Sequence, residues 1–229
     1  MKIFAHRGFS GRYPESTRQA FEEAVRAGVD GFECDVRLTK DNIPIVFHDR
    51  TTERILGKRI AVGAKKLQEL QEFLELFTLE ELIQLSIKKR VDLLIETKHP
   101  VIKGNRVEKE VLALIEKYSQ EIGESGIEIW VISFSRRAVR YLRRNYIKVG
   151  SIINHRYQIF AVKTPLVAVD IELLKRDFSL IRRFNNRILY VWTVNQPGDF
   201  RLISQKRISG VITDFPNRAE RLLYKRKNS

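Results

Sequence analysis

An α/β fold, a (β/α)8 TIM barrel, is predicted by three features of this sequence. Short apolar segments of strand character recur along its whole length, and helical patterns fill most of the gaps between them. The charged residues with chemical use gather at the C-terminal ends of those segments, where barrel enzymes place their sites. The strand-like segments are 3–6, 31–36, 43–48, 92–96, 127–133, 149–153, 166–170, 188–194 and 210–213.

That is one segment too many for an eightfold barrel. Between Asp35 and His48 there is no room for a helix, and Lys40-Asp41-Asn42 has the composition of a turn between two extended arms. Segment 43–48 therefore reads as the returning arm of a hairpin that rises above the barrel and carries His48 back beside Glu33 and Asp35. Ser16 with Gln19 reads as a capping box for a helix through Arg26, and Thr78 opens another with Glu80 and Glu81 in its first turn. Further helices are expected over 107–118, 136–144, 172–184, 198–205 and 217–224, with only a short turn over 155–160. Residues 49–77 form a short insertion after the second barrel strand, in which Leu67, Leu70, Phe73, Leu74 and Phe77 have helical spacing.

With 229 residues, 43% hydrophobic and 31% charged, the chain is long enough for one substantial core, so a single domain over 1–229 is expected. No apolar run approaches the roughly 18 residues of a membrane span. Lys2 is followed at once by the strand-like Ile3-Phe4-Ala5 rather than by a leader's apolar stretch, so a cytoplasmic protein is expected. The single cysteine, Cys34, forms no internal disulfide and reads as a small buried hydrophobe on the helix-facing side of its strand.

The net charge of +14 would draw anionic substrates, nucleic acid or anionic lipid. Arg136, Arg137, Arg140, Arg143 and Arg144 share a predicted helix; Lys88-Lys89-Arg90, Arg182-Arg183 and Lys225-Arg226-Lys227 form smaller clusters. These read as solvated helix faces, with the arginine helix well clear of the barrel mouth. A basic nucleic-acid-binding protein on a barrel scaffold is the reading from another functional class. No recognised nucleic-acid motif or interleaved aromatics support it, so no nucleic-acid partner is expected.

The chemistry concentrates near the start, in His6-Arg7-Gly8, then Glu33-x-Asp35, then His48-Asp49. Residues i and i+2 of a strand share a face, so Glu33 and Asp35 converge while Cys34 points away. Hydrolysis of a phosphodiester needs positive charge on the phosphate together with a proton donor and acceptor, and this set supplies both.

These residues resemble the signature of the glycerophosphodiester phosphodiesterase family. Further stretches match in the family's order: Pro14-Glu15-Ser16-Thr17, Thr39-Lys40-Asp41, Thr78-Leu79-Glu80-Glu81-Leu82, Glu96-x-Lys98, Val191-Trp192-Thr193-Val194-Asn195 and Gly210-Val211-Ile212-Thr213-Asp214. The resemblance implies Glu33, Asp35 and Glu96 as ligands of a divalent metal. Three carboxylates within ~5 Å would repel one another by about 3 kcal/mol per pair, and their oxygen chemistry suits Mg2+ or Ca2+. It further implies Arg7 and Lys98 on the substrate phosphate and His6 and His48 as general acid and base.

Trp192 is a candidate for contact with the glycerol or alcohol moiety, equally readable as core. Glu15 is expected beside the metal ligands. Asn195 and Asp214 match family motifs without an assigned role. His99 reads as a surface-loop residue, and His155 has no motif to place it at the mouth. Ser16 stands where the family usually has Asn. The implied substrate is a small glycerophosphodiester, cleaved to sn-glycerol 3-phosphate and an alcohol. A lysophospholipase D-type enzyme at an anionic membrane surface is the alternative within the class. No oligomeric state is implied.

Overall fold

Period-two alternation along the strands separates two layers of apolar side chains, and the barrel wall runs between them. The computed structural model describes residues 1–100 and 104–224, so the Lys225-Arg226-Lys227 cluster lies outside the described residues. Its strands are β1 (Lys2–His6), β2 (Gly31–Leu38), β3 (Pro44–Val46), β4 (Asp92–Thr97), β5 (Ile129–Ser133), β6 (Val149–Ile153), β7 (Leu166–Asp170), β8 (Ile188–Trp192) and β9 (Gly210–Thr213). All except β3 are parallel barrel strands, and β1 closes the ring by pairing with both β9 and β2, His6 lying opposite Glu33.

Inside the ring, Phe4, Leu94, Trp130, Ile132, Ile152, Leu166, Ala168, Tyr190 and Ile212 form one cluster. Their strand neighbours Ala5, Phe32, Cys34, Leu93, Ile95 and Val131 belong to the larger core under the helices. Cys34 thus faces the helices, as its alternation requires. Packing inside the ring is tight enough to dictate glycine at 150: a Cβ there would sit 2.6 Å from Leu166 Cδ2 and 2.7 Å from Ile132 Cγ2.

β3 is the hairpin arm. It pairs antiparallel with β2, Val36 opposite Val46 and Arg37 opposite Ile45, and Phe47 N donates to Asp35 O at 2.9 Å. The chain then continues extended, and His48 reaches the barrel mouth.

Helix Leu79–Lys89 opens as expected: Thr78 Oγ1 accepts from Glu81 N while Glu81 Oε2 accepts from Thr78 N. Two helix expectations need correction. The helix Arg18–Arg26 is capped by Thr17, whose Oγ1 accepts from Ala20 N, and not by Ser16, which lies at φ 62° in the left-handed region. The expected helix over 172–184 divides into Ile171–Arg176 and Ser179–Arg183, because Asp177 leaves the helical conformation and its carboxylate accepts from Ser179 N at 3.1 Å.

In the insertion only Glu53–Leu56 and Leu67–Gln71 are α-helical. Leu70 and Leu76 join Ile45, Phe47 and Val62 in a satellite cluster against the hairpin, whereas Phe77 belongs to the main core and Phe73 is exposed. The helical spacing of 67–77 therefore marks burial at several points along an irregular segment. Among the described residues no helix is long and apolar enough to cross a membrane.

Candidate active site

Strand register brings the sequence candidates together at the C-terminal end of the barrel. His6 ends β1, Glu33 and Asp35 lie on β2, and Glu96 lies on β4, where it pairs with Asp35. All three carboxylates are buried, and one oxygen of each lies within 4.8 Å of the others. With His6, Arg7, His48, Lys98 and Trp192, Glu33 and Glu96 line a cavity of about 220 Å³ whose apolar wall includes Phe134 and Ile152.

The two cations bind the carboxylates in this structure. Arg7 Nε lies 2.7 Å from Asp35 Oδ2, and Lys98 Nζ lies 2.9 Å from Asp35 Oδ1 and 2.7 Å from Glu96 Oε1. The charges at Asp35 are close but poorly aligned for hydrogen bonding, so both its oxygens, and Glu33 Oε2, lack a hydrogen-bond partner although buried. Burial and the neighbouring Asp35 charge push the carboxyls of Glu33 and Glu96 above the usual carboxylate range. Burial acts on Asp35 in the same sense, but Lys98 and Arg7 outweigh it and hold this carboxyl low. A buried, oxygen-only, incompletely satisfied donor set of this kind fits a hard divalent cation.

The histidines are held by different partners. His6 Nδ1 lies 2.6 Å from Asp214 Oδ1, while its Nε2 faces Glu33 Oε2 at 3.8 Å. Burial opposes the imidazolium of His6, yet the hydrogen bond to Asp214 and the Glu33 charge prevail and raise its pKa. His48 Nδ1 lies 2.8 Å from Asp49 Oδ1. Burial lowers its pKa, with Lys98 and Arg7 adding to that effect against Asp35.

Asp214 is itself fixed. Asn195 Nδ2 donates to its Oδ2 at 2.6 Å, Asn195 Oδ1 accepts from Asp214 N at 3.0 Å, and Ser10 Oγ lies 3.0 Å from Oδ1. The motifs containing Asn195 and Asp214 thereby acquire a place in the site: they hold His6.

Glu15 is linked to the candidate metal ligands through Arg7, which contacts Asp35. Its carboxylate accepts from Arg7 Nη1 and from both terminal nitrogens of Arg54, and Arg54 Nε also donates to Asp49. Arg54, from the insertion, is thus tied to the supports of both Arg7 and His48, a link that no motif flags. Arg7 and Ser16 both have positive φ, at 55° and 62°, and Ser16 N donates to Arg7 O at 2.9 Å. Asn tolerates that backbone region better than Ser does, which gives a physical reason for Asn as the alternative residue.

Trp192 closes one side of the cavity, donating to Ala168 O and meeting Phe134 edge-on at 5.6 Å. His99 is not a free loop residue, since its Nε2 pairs with the buried Glu108 at 2.8 Å. His155 is exposed, stacked on Tyr157, and does not line the cavity.

Residues 6–218 match the model of the Glycerophosphoryl diester phosphodiesterase family. The chain is 30% identical to a putative glycerophosphodiester phosphodiesterase of Bacillus subtilis over 95% of this chain and 96% of that protein. It superposes on a crystal structure of a putative glycerophosphoryl diester phosphodiesterase from Silicibacter pomeroyi with TM-score 0.86 at 21% identity, covering 99% of this chain and 94% of that one. An Oleispira antarctica phosphodiesterase solved with the product sn-glycerol-3-phosphate gives TM-score 0.84 at 18% identity, covering 97% and 96%. The chain belongs to the glycerophosphoryl diester phosphodiesterase family and is a phosphoric diester hydrolase.

Proposed function

We propose that the protein hydrolyses small glycerophosphodiesters in the cytoplasm to sn-glycerol 3-phosphate and an alcohol, with a divalent metal and two histidines. The observation that carries this reading is the convergence of three buried carboxylates, two histidines, Arg7 and Lys98 at one barrel mouth. The product bound by the Oleispira protein agrees with it.

Glu33, Asp35 and Glu96 would hold the metal, Mg2+ or Ca2+, which would supply Lewis-acid chemistry to the phosphate. Arg7 presents a planar fork and Lys98 a point charge to the remaining phosphate oxygens, exchanging part of their hold on Asp35 for substrate. His48 takes the proton of the attacking hydroxyl as the new O–P bond forms. His6 gives its proton to the departing alcohol oxygen as the old P–O bond breaks. Asp214 keeps His6 Nδ1 occupied, so the proton to be given is the one on Nε2, which faces the cavity. Trp192 packs against the carbon skeleton of the substrate.

The nucleophile is either water or the substrate's own glycerol hydroxyl, the second passing through a cyclic phosphate. Release of sn-glycerol 3-phosphate from glycerophosphocholine, with cyclic phosphate followed in the same samples, tests the reading. Turnover that persists in His48→Ala at the wild-type rate would overturn it.

A further inference from the structure

Beside the catalytic cavity lies a larger one, of about 640 Å³, between helix Arg136–Asn145 and residues 157–163. Phe134 and Ile152 are walls of both cavities, so the two lie side by side. Its charge is one-sided. Arg136, Arg140 and Arg143 recur at helical spacing along one wall and Lys163 stands on the other.

None of these four forms an ion pair with another described residue. Helix Arg136–Asn145 follows barrel strand β5. It starts three residues after β5 ends, at the catalytic face of the barrel. Helix stability accounts for Arg143, in the last turn, but not for the others: Arg136 and Arg137 occupy the first turn, where the macrodipole disfavours cations, and the helix contains no acidic residue to pair with them.

We propose that this groove is a subsite for a second anionic group on the substrate, so that the enzyme favours glycerophosphodiesters whose alcohol half carries a further phosphate. The proposal rests on the phosphodiesterase reading and adds the class of alcohol. The four cations are exposed, as they would be on a membrane-binding patch, but they converge on a groove that shares Phe134 and Ile152 with the reacting cavity. An anion seated there would gain charge-assisted hydrogen bonds and relieve repulsion among the four cations.

The test compares kcat/KM for glycerophosphoinositol 4-phosphate with that for glycerophosphoinositol, two substrates that differ by one phosphomonoester. The expected ratio in wild type is roughly tenfold or more, falling toward one in R140Q/R143Q and retained in K88Q/K89Q, which removes the same charge outside the groove. A wild-type ratio near one, or equal losses in the two double variants, would overturn the proposal. Calorimetric binding of both diesters to His48→Ala, with and without R140Q/R143Q, separates the two levels of inference. If neither diester is turned over but the phosphorylated one binds tighter through Arg140 and Arg143, the groove stands and the phosphodiesterase reading falls. Equal binding of the two diesters, with R140Q/R143Q abolishing attachment to phosphatidylglycerol vesicles, would overturn the subsite in favour of a lipid surface.

Discussion

His6 and His48 sit in one cavity yet meet opposite surroundings, and their proposed roles follow from that contrast. His6 is held by the Asp214 carboxylate in a form that keeps a proton; His48 is half-buried near Lys98 and Arg7, which favour its neutral form. A general acid matters most when the departing alcohol is poor at leaving. His6→Ala should therefore lose most of its turnover of glycerophosphocholine but recover in part with a nitrophenyl leaving group, while His48→Ala fails on both substrates. The reverse pattern would exchange the roles. Asp214→Asn should resemble a milder His6→Ala, with kcat down by about ten- to a hundredfold, because the amide holds the ring in place without favouring its charge. Sequence motifs named the histidines, but Asp214 could be given its role only once β1 and β9 were seen side by side.

Among the elements, the turn after β1 is the most demanding. Arg7 and Gly8 both have positive φ, and a Cβ on Gly8 would lie 2.7 Å from both the carbonyl carbon and Cβ of Ala20. Gly8→Ala should destabilise the fold by roughly 2 kcal/mol or more and lower activity as well, since Arg7 is displaced with the turn; denaturant unfolding alongside turnover measures both. Element existence was legible where alternation and caps agreed, as in β2, β4 and helix Leu79–Lys89. It was not legible where a local side-chain bond interrupts a periodic pattern. Asp177 splits one helix by accepting from Ser179 N, and Thr17 rather than its neighbour Ser16 caps another because Ser16 is committed to a left-handed turn beside Arg7. The insertion misled for a related reason: Leu67, Leu70, Leu74 and Leu76 are apolar because they pack in the cluster against the hairpin, and only Leu67–Gln71 is helical.

At the scale of the whole molecule, the barrel was legible because eight apolar strands of similar length could close only one way once segment 43–48 was taken out as a hairpin arm. The groove beside the mouth was not legible, because its far wall, residues 157–163, comes from a short turn whose placement against the arginine helix no spacing reveals. Closure also forces Glu33, Asp35 and Glu96 into one buried cluster whose mutual repulsion a divalent ion would relieve. Chelator-stripped protein should gain roughly 5–10 °C in Tm on adding metal at about a hundred times its Kd, and Glu33→Gln should abolish most of that gain while raising the Tm of the stripped form. Scanning calorimetry of the two proteins with and without metal checks both statements.

The most direct test of the account is the release of sn-glycerol 3-phosphate from glycerophosphocholine by exhaustively chelated protein, measured before and after Mg2+ or Ca2+ is restored. The account predicts negligible release from stripped protein, recovery on adding one of these ions, and no recovery in Glu33→Gln, Asp35→Asn or Glu96→Gln. Full activity in stripped protein, or in all three variants, would contradict it.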